Sequence, residues 1–122
     1  MSDNNIKGKR GENAAVAFLT LRGWEILARN YRTPYGEIDI VAVKDHELVF
    51  FEVKYRTTRT FGFPETAITS TKARHMIDSA ETYMQNHPEL DCGWRIDVLA
   101  IEARAGSDPE IIWFDNAVSD LS

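Results

Sequence analysis

The chain has 122 residues, 43% of them hydrophobic and 27% charged, which is ordinary for one soluble globular domain whose core stands without staples. A net charge of −5 argues against a protein that simply coats nucleic acid, and the single cysteine, Cys92, excludes an intrachain disulfide framework and a thiolate metal cluster. The opening residues lack the apolar stretch of a signal peptide and no apolar run approaches a transmembrane span, so the expectation is a cytoplasmic single domain over 1–122, with its ordered core at about 8–115 and no membrane contact.

Taken in order, the first six residues are polar. Lys7 to Arg22 predicts a helix, with Ala14, Ala15, Phe18, Leu19 and Leu21 at helical spacing and Gly23 as its stop. Glu12 lies near the helix start, where a carboxylate suits the macrodipole. Trp24 to Arg32 predicts the first strand, ending on Arg29 and Arg32, which either meet phosphate or solvate an edge. Thr33-Pro34-Tyr35-Gly36 is a turn by composition.

Gly36 to Arg56 then reads as a hairpin. One strand covers Gly36–Val43, the turn takes Lys44-Asp45-His46, and the next strand covers Glu47–Tyr55. Both are rich in Val, Ile and Phe. Alternation places Leu48, Phe50, Glu52 and Lys54 on one face, and Val49, Phe51 and Val53 on the other. Both faces are apolar, which predicts a central strand covered on both sides. In the first strand Glu37, Asp39, Val41 and Val43 share a row. The short turn pairs Val43 near Leu48 and therefore Asp39 near Glu52. A carboxylate between Ile38 and Ile40 is costly unless paired, hydrogen-bonded or metal-bound.

Two adjacent carboxylates are hard oxygen donors that suit Mg²⁺, with Mn²⁺ fitting the same oxygens. Such an ion polarises a phosphoryl oxygen and lowers the pKa of a bound water, and Lys54 could orient or deprotonate that water or neutralise phosphate charge. The chemistry pointed to is metal-assisted phosphodiester hydrolysis. The bland alternative is a buried ion-pair network of Asp39, Glu52 and Lys54.

Arg56 to Pro64 predicts an exposed loop beside the strand end. Arg56 and Arg59 suit phosphate, whereas Phe61 and Phe63 read as caps on the core. A second helix starts at Ile68 or Ser70 and ends at Asn86, before His87-Pro88. Its stripe of Ala73, Met76, Ile77, Ala80, Tyr83 and Met84 is core. Lys72, Arg74 and His75 in its first turns oppose the macrodipole, which gives Lys72 a reason to meet phosphate; His75 reads as ordinary. Gly93 to Ala103 predicts a strand with Asp97 salt-bridged inside it. Arg104 to Asp108 is a turn, and Glu110 to Phe114 a last short strand. Charge is segmented: residues 1–32 carry +3, 33–53 carry −4, 54–74 carry +4 and 75–122 carry −8. The acidic pair thus sits between two basic segments, as a nuclease requires.

The blocks G-E-N-A-A, A-R-N-Y-R (28–32), G-E-I-D, E-V-K-Y-R, F-G-F-P (61–64) and R-I-D (95–97), in this order, resemble the YraN-like family from about Gly8 to Ile101. By similarity that family belongs to the PD-(D/E)xK, or restriction-endonuclease-like, superfamily. The resemblance implies an α/β fold: a three-layer α/β/α sandwich with a central mixed β-sheet and an αβββαβ core. It implies Asp39, Glu52 and Lys54 as catalytic residues, Glu12 as a further acid at the metal or behind its ligands, and Lys72 as the helix lysine. Ile38 stands where the superfamily's name has proline. The leading expectation is a Mg²⁺-dependent endonuclease acting on DNA, branched or damaged DNA included. A homodimer is a further expectation, because resolvase-like relatives cut two strands with paired sites. The runner-up is a non-catalytic nucleic-acid-binding or partner-docking module on the same fold.

Overall fold

The computed structural model describes residues 3–56, 69–104 and 106–118. Helix α1 (Asp3–Leu21) is followed by β1 (Glu25–Thr33), β2 (Gly36–Lys44) and β3 (Glu47–Arg56). Helix α2 (Ser70–Asn86), β4 (Trp94–Arg104) and β5 (Ser107–Val118) complete the chain. The five strands form one mixed sheet in the order β1-β2-β3-β4-β5, in which β3 and β4 run parallel and the other neighbours antiparallel. Helices cover both faces, so the αβββαβ order and the α/β/α layering are those expected. Among the described residues no helix is long and apolar enough to cross a membrane.

Helix α1 ends in a Schellman turn. Trp24 N–H reaches Leu19 O, Gly23 N–H reaches Thr20 O, and Gly23 takes φ +90°, which costs a glycine nothing. The same turn swings Trp24 under the helix, into a core made of Ala15, Leu19, Ile40, Ala42, Val49, Phe51, Leu99 and Ile101. On the opposite face Ala73, Ala80 and Tyr83 of α2 pack on Val41, Leu48, Phe50 and Ile96. Burying each large side chain contributes about 1.5–3 kcal/mol, so the central strands are fixed from both sides. Helix α2 begins where Thr69 caps it, its hydroxyl accepting the Lys72 N–H at 3.1 Å.

The β2–β3 hairpin closes through Asp45 and His46 alone. Both have positive φ, 50° and 67°, as a two-residue turn of the primed type demands. Val43 pairs with Leu48, as expected. Three features depart from the expected pattern. Helix α1 starts at Asp3, a turn earlier. Ile38 packs on the α2 side although Ile40 packs on the α1 side, so β2 breaks strict alternation between them. Strand β5 extends over Ser107–Val118 rather than Glu110–Phe114. It continues because β5 bulges between Phe114 and Val118, where Asn116 takes φ +50° and donates its N–H to Asp97 Oδ1 at 2.7 Å.

Candidate active site

The β2–β3 ladder runs from Lys44–Glu47 to Ile40–Phe51 and ends there. Beyond that point β2 stays with β1 as far as Gly36, and β3 stays with β4 as far as Arg56. The sheet forks. Asp39 and Glu52 are the first residues inside the fork, so the acids that the turn register places together face a gap instead of a closed ladder. Asp39 Oδ2 accepts the Val53 N–H at 2.8 Å, taking over a donor that points toward β2.

Inside the fork the electrostatics are unfavourable for two anions. Burial first, then the Glu52 carboxylate, pushes the Asp39 carboxyl up to about 7, and the Val53 N–H offsets only part of this. Glu37 and Glu12 push the same way. Glu52, with 13% of its side chain exposed, is compensated: Lys72 Nζ stands 3.1 Å from its Oε1 and Lys54 Nζ 4.0 Å away. Burial pulls the Lys72 ammonium down, but Glu52 outweighs it and the net shift is upward.

Asp39, Glu52 and Lys72 line one cleft of about 490 Å³ between the fork and α2. The α2 wall adds His75 and the hydroxyls of Thr69 and Thr71. Tyr35 stands at the β1–β2 turn, half exposed. That turn is pinned to α2: Thr33 Oγ1 lies 2.8 Å from Ser79 Oγ and accepts the N–H groups of Tyr35 and Gly36. Sequence reasoning missed Tyr35, Thr69, Thr71, His75 and Ser79. A signal existed for His75, which follows Lys72 by three residues and so shares its helix face.

The donor set fits a hard divalent cation. Two carboxylates that repel each other supply hard oxygens, and Mg²⁺ ordinarily takes one or two carboxylates with water and phosphate completing the octahedron. Among the described residues no three His, Cys, Asp or Glu side chains converge on one point, so Glu12 does not join Asp39 and Glu52 as a third acid.

Glu12 sits apart from that cleft wall. It is buried, and its Oε1 accepts from Arg29 Nε at 2.7 Å and from Asn30 Nδ2 at 2.9 Å. Asn30 takes φ +53° in mid-strand, a conformation Asn tolerates better than most residues. Glu12 thus touches Asp39 through its charge. Helix α1 comes this close because residue 11 is glycine: a Cβ there would lie 2.7 Å from Tyr55 Cβ. Lys54 sits beside Glu52 on β3 but is not part of the cleft wall.

The expected phosphate contacts separate. Lys72 is in the cleft. Arg32 is 88% exposed at the end of β1, 3.6 Å from Glu37. Arg56 ends β3, its side chain lying outside the described residues, as do Arg59, Phe61 and Phe63. Asp97 is fully buried and serves structure: it accepts from Arg95 Nε, Trp113 Nε1 and Asn116 N.

Residues 11–101 match the model of the family described as "Uncharacterised protein family UPF0102". A UPF0102 protein of Caldicellulosiruptor saccharolyticus is 45% identical over 94 residues, covering 77% of this chain and 80% of that protein. One from Chloroherpeton thalassium is 40% identical over 101 residues, covering 83% and 78%. One from Geobacter metallireducens is 40% identical over 114 residues, covering 93% of both. Among solved structures, Pyrococcus furiosus SfsA in complex with Ca²⁺ is similar at 18% identity and a TM-score of 0.42, over 97% of this chain and 66% of that one. The chain belongs to family UPF0102, the YraN-like family that its residue blocks resemble.

Proposed function

We propose that this protein is a Mg²⁺-dependent nuclease of the PD-(D/E)xK type that hydrolyses phosphodiester bonds in DNA. The observation that carries the reading is the pair Asp39 and Glu52 in the β2–β3 fork, facing a cleft whose other wall supplies Lys72. Asp39 and Glu52 would hold the cation, which supplies Lewis-acid polarisation of the phosphoryl group and a more acidic water. Mn²⁺ suits the same oxygens.

The chain's own groups then divide the work. Water adds to phosphorus, one ester P–O bond breaks, and the departing alcohol takes up a proton. Lys54, beside Glu52, orients the water or accepts its proton. Lys72 and the first turn of α2, capped by Thr69, face the phosphate with positive potential. Arg32 and, by their place in the sequence, Arg56 and Arg59 are the further cations proposed for the flanking backbone. A homodimer would bring two such sites to two strands, and the free thiol of Cys92 fits a cytoplasmic setting.

The test is cleavage of single-stranded, duplex and branched DNA with Mg²⁺ or Mn²⁺. Asp39→Ala and Glu52→Ala should abolish cleavage while circular dichroism stays native. Variants that cut like the parent would overturn the assignment. One observation favours a second reading, a binding module without turnover: Glu52 already carries an ammonium partner. In that case DNA binding falls steeply with salt, and no substrate is cut.

A further inference from the structure

Among the described residues the nearest cation to Glu52 comes from another element, not from its own strand. Lys72 Nζ, from the first turn of α2, is 3.1 Å from Glu52 Oε1, against 4.0 Å for Lys54 two residues along β3. Glu52 is nearly buried, whereas the Lys72 side chain is 42% exposed and so has room to leave. Its root is fixed, because the Lys72 N–H is held by the Thr69 cap. A lysine is a point charge on a flexible four-carbon stem, which suits an ion that must change partners. A Mg²⁺ ion binds carboxylate oxygen at about 2.0–2.1 Å, and a dication and an ammonium on the same carboxylate repel each other.

We infer that Lys72 is a displaceable counter-ion: it neutralises Glu52 in the metal-free protein, leaves when a divalent cation binds Asp39 and Glu52, and then meets the substrate phosphate. This rests on the nuclease reading and adds an order to it. Metal entry and phosphate binding become coupled through one side chain. The metal must compete with the ammonium, and the phosphate stabilises the displaced ammonium, so each ligand tightens the other. Alone, the protein therefore holds its cation weakly.

The test is calorimetric titration of the full chain with Mn²⁺. Lys72→Met should bind Mn²⁺ more tightly than the parent, by about fivefold for a pair of this exposure. Arg74→Gln removes the same charge from a residue that pairs with Asp78 outside the cleft, and should leave affinity near the parent's. Adding Asp39→Asn should remove binding in every background. With Ca²⁺ replacing Mn²⁺, Lys72→Met should also bind a short single-stranded oligonucleotide several-fold more weakly than the parent.

Lys72→Met affinity for Mn²⁺ equal to or weaker than the parent's, with parental binding still lost in Asp39→Asn, overturns the exchange and leaves the metal site standing. Unchanged oligonucleotide affinity overturns the second half. A parent that binds no Mn²⁺ even with oligonucleotide present removes the nuclease reading and the exchange together. Lys72→Gln serves as the repeat if the methionine variant loses its native spectrum.

Discussion

Asp39 accepts the backbone N–H of Val53 at the place where the two central strands part. One side chain therefore does on β2 what a carbonyl would do in an unbroken ladder. The same side chain lines the cleft together with Glu52. The fork is thus stabilised by the same carboxylate that the proposed chemistry requires.

This arrangement gives Asp39 a definite effect of pH on stability. Its carboxyl has a reference value of 3.8 and is pushed up to about 7 in the fold, by burial first and by Glu52 second. Between these values the folded state holds more protons than the unfolded chain, so stability falls as pH rises from about 4 to about 7 and levels off above. Asn at this position keeps an acceptor for Val53 and does not titrate. In metal-free buffer, the melting temperature of Asp39→Asn should exceed the parent's by a margin that grows across this window. Parallel curves would show that Asp39 is not under strain.

Glu12 is predicted to act through others. It is tied to Arg29 and Asn30, lies off the cleft wall and reaches Asp39 only through its charge, so Glu12→Gln should lower metal affinity or cleavage by a few-fold and not abolish either. Asp39→Ala should abolish both. Equal losses in the two variants would place Glu12 on the metal directly.

Gly11→Ala tests the approach of α1 to β3. The added methyl would meet Tyr55 Cβ at 2.7 Å. Overpacking of this kind costs about 1–3 kcal/mol, against at most about 1 kcal/mol gained in helix propensity. Denaturant titration should show net destabilisation. Tyr55→Ala should not rescue it, because the clashing atom is Cβ itself.

Asp97→Ala separates the structure on the far side of the sheet from the candidate site. It strips acceptors from Arg95, Trp113 and the Asn116 N–H at a fully buried point. A loss of about 3–5 kcal/mol in folding is expected. The folded fraction should keep the parent's Mn²⁺ affinity, measured at low temperature; a lost affinity would tie Asp97 to the site.

Much of this architecture is legible in the residues, for local reasons. The Val43–Leu48 register follows from the short turn, although Lys44, expected in the turn, ends β2 and pairs with Glu47, and both helices follow from apolar spacing and their stops. The salt-bridge partner of Asp97 is its neighbour but one, Arg95. What depends on distant docking is not legible. Nothing in G-E-I-D shows that the ladder stops at Ile40, or that Ile38 turns to the α2 side. The motif lysine, Lys54, is the obvious partner of Glu52 by spacing. The closer one, Lys72, arrives only because α2 crosses over the sheet. The length of β5 is not legible for a similar reason, since nothing local shows that the Asn116 N–H is held by the Asp97 carboxylate.

The fork also bears on how the molecule is assembled in time. Strands β1, β2 and β3 follow one another through two-residue connections, so Asp39 and Glu52 are brought together by local pairing. The β3–β4 pair is parallel, and Leu48 meets Trp94 only after residues 57–68 and all of α2 have been enclosed. Long-range pairing of that kind forms slowly. A refolding chain therefore meets the repulsion between its two acids before Lys72 arrives to relieve it. Refolding in metal-free buffer should be faster at pH 5 than at pH 8, and Asp39→Asn should erase the difference.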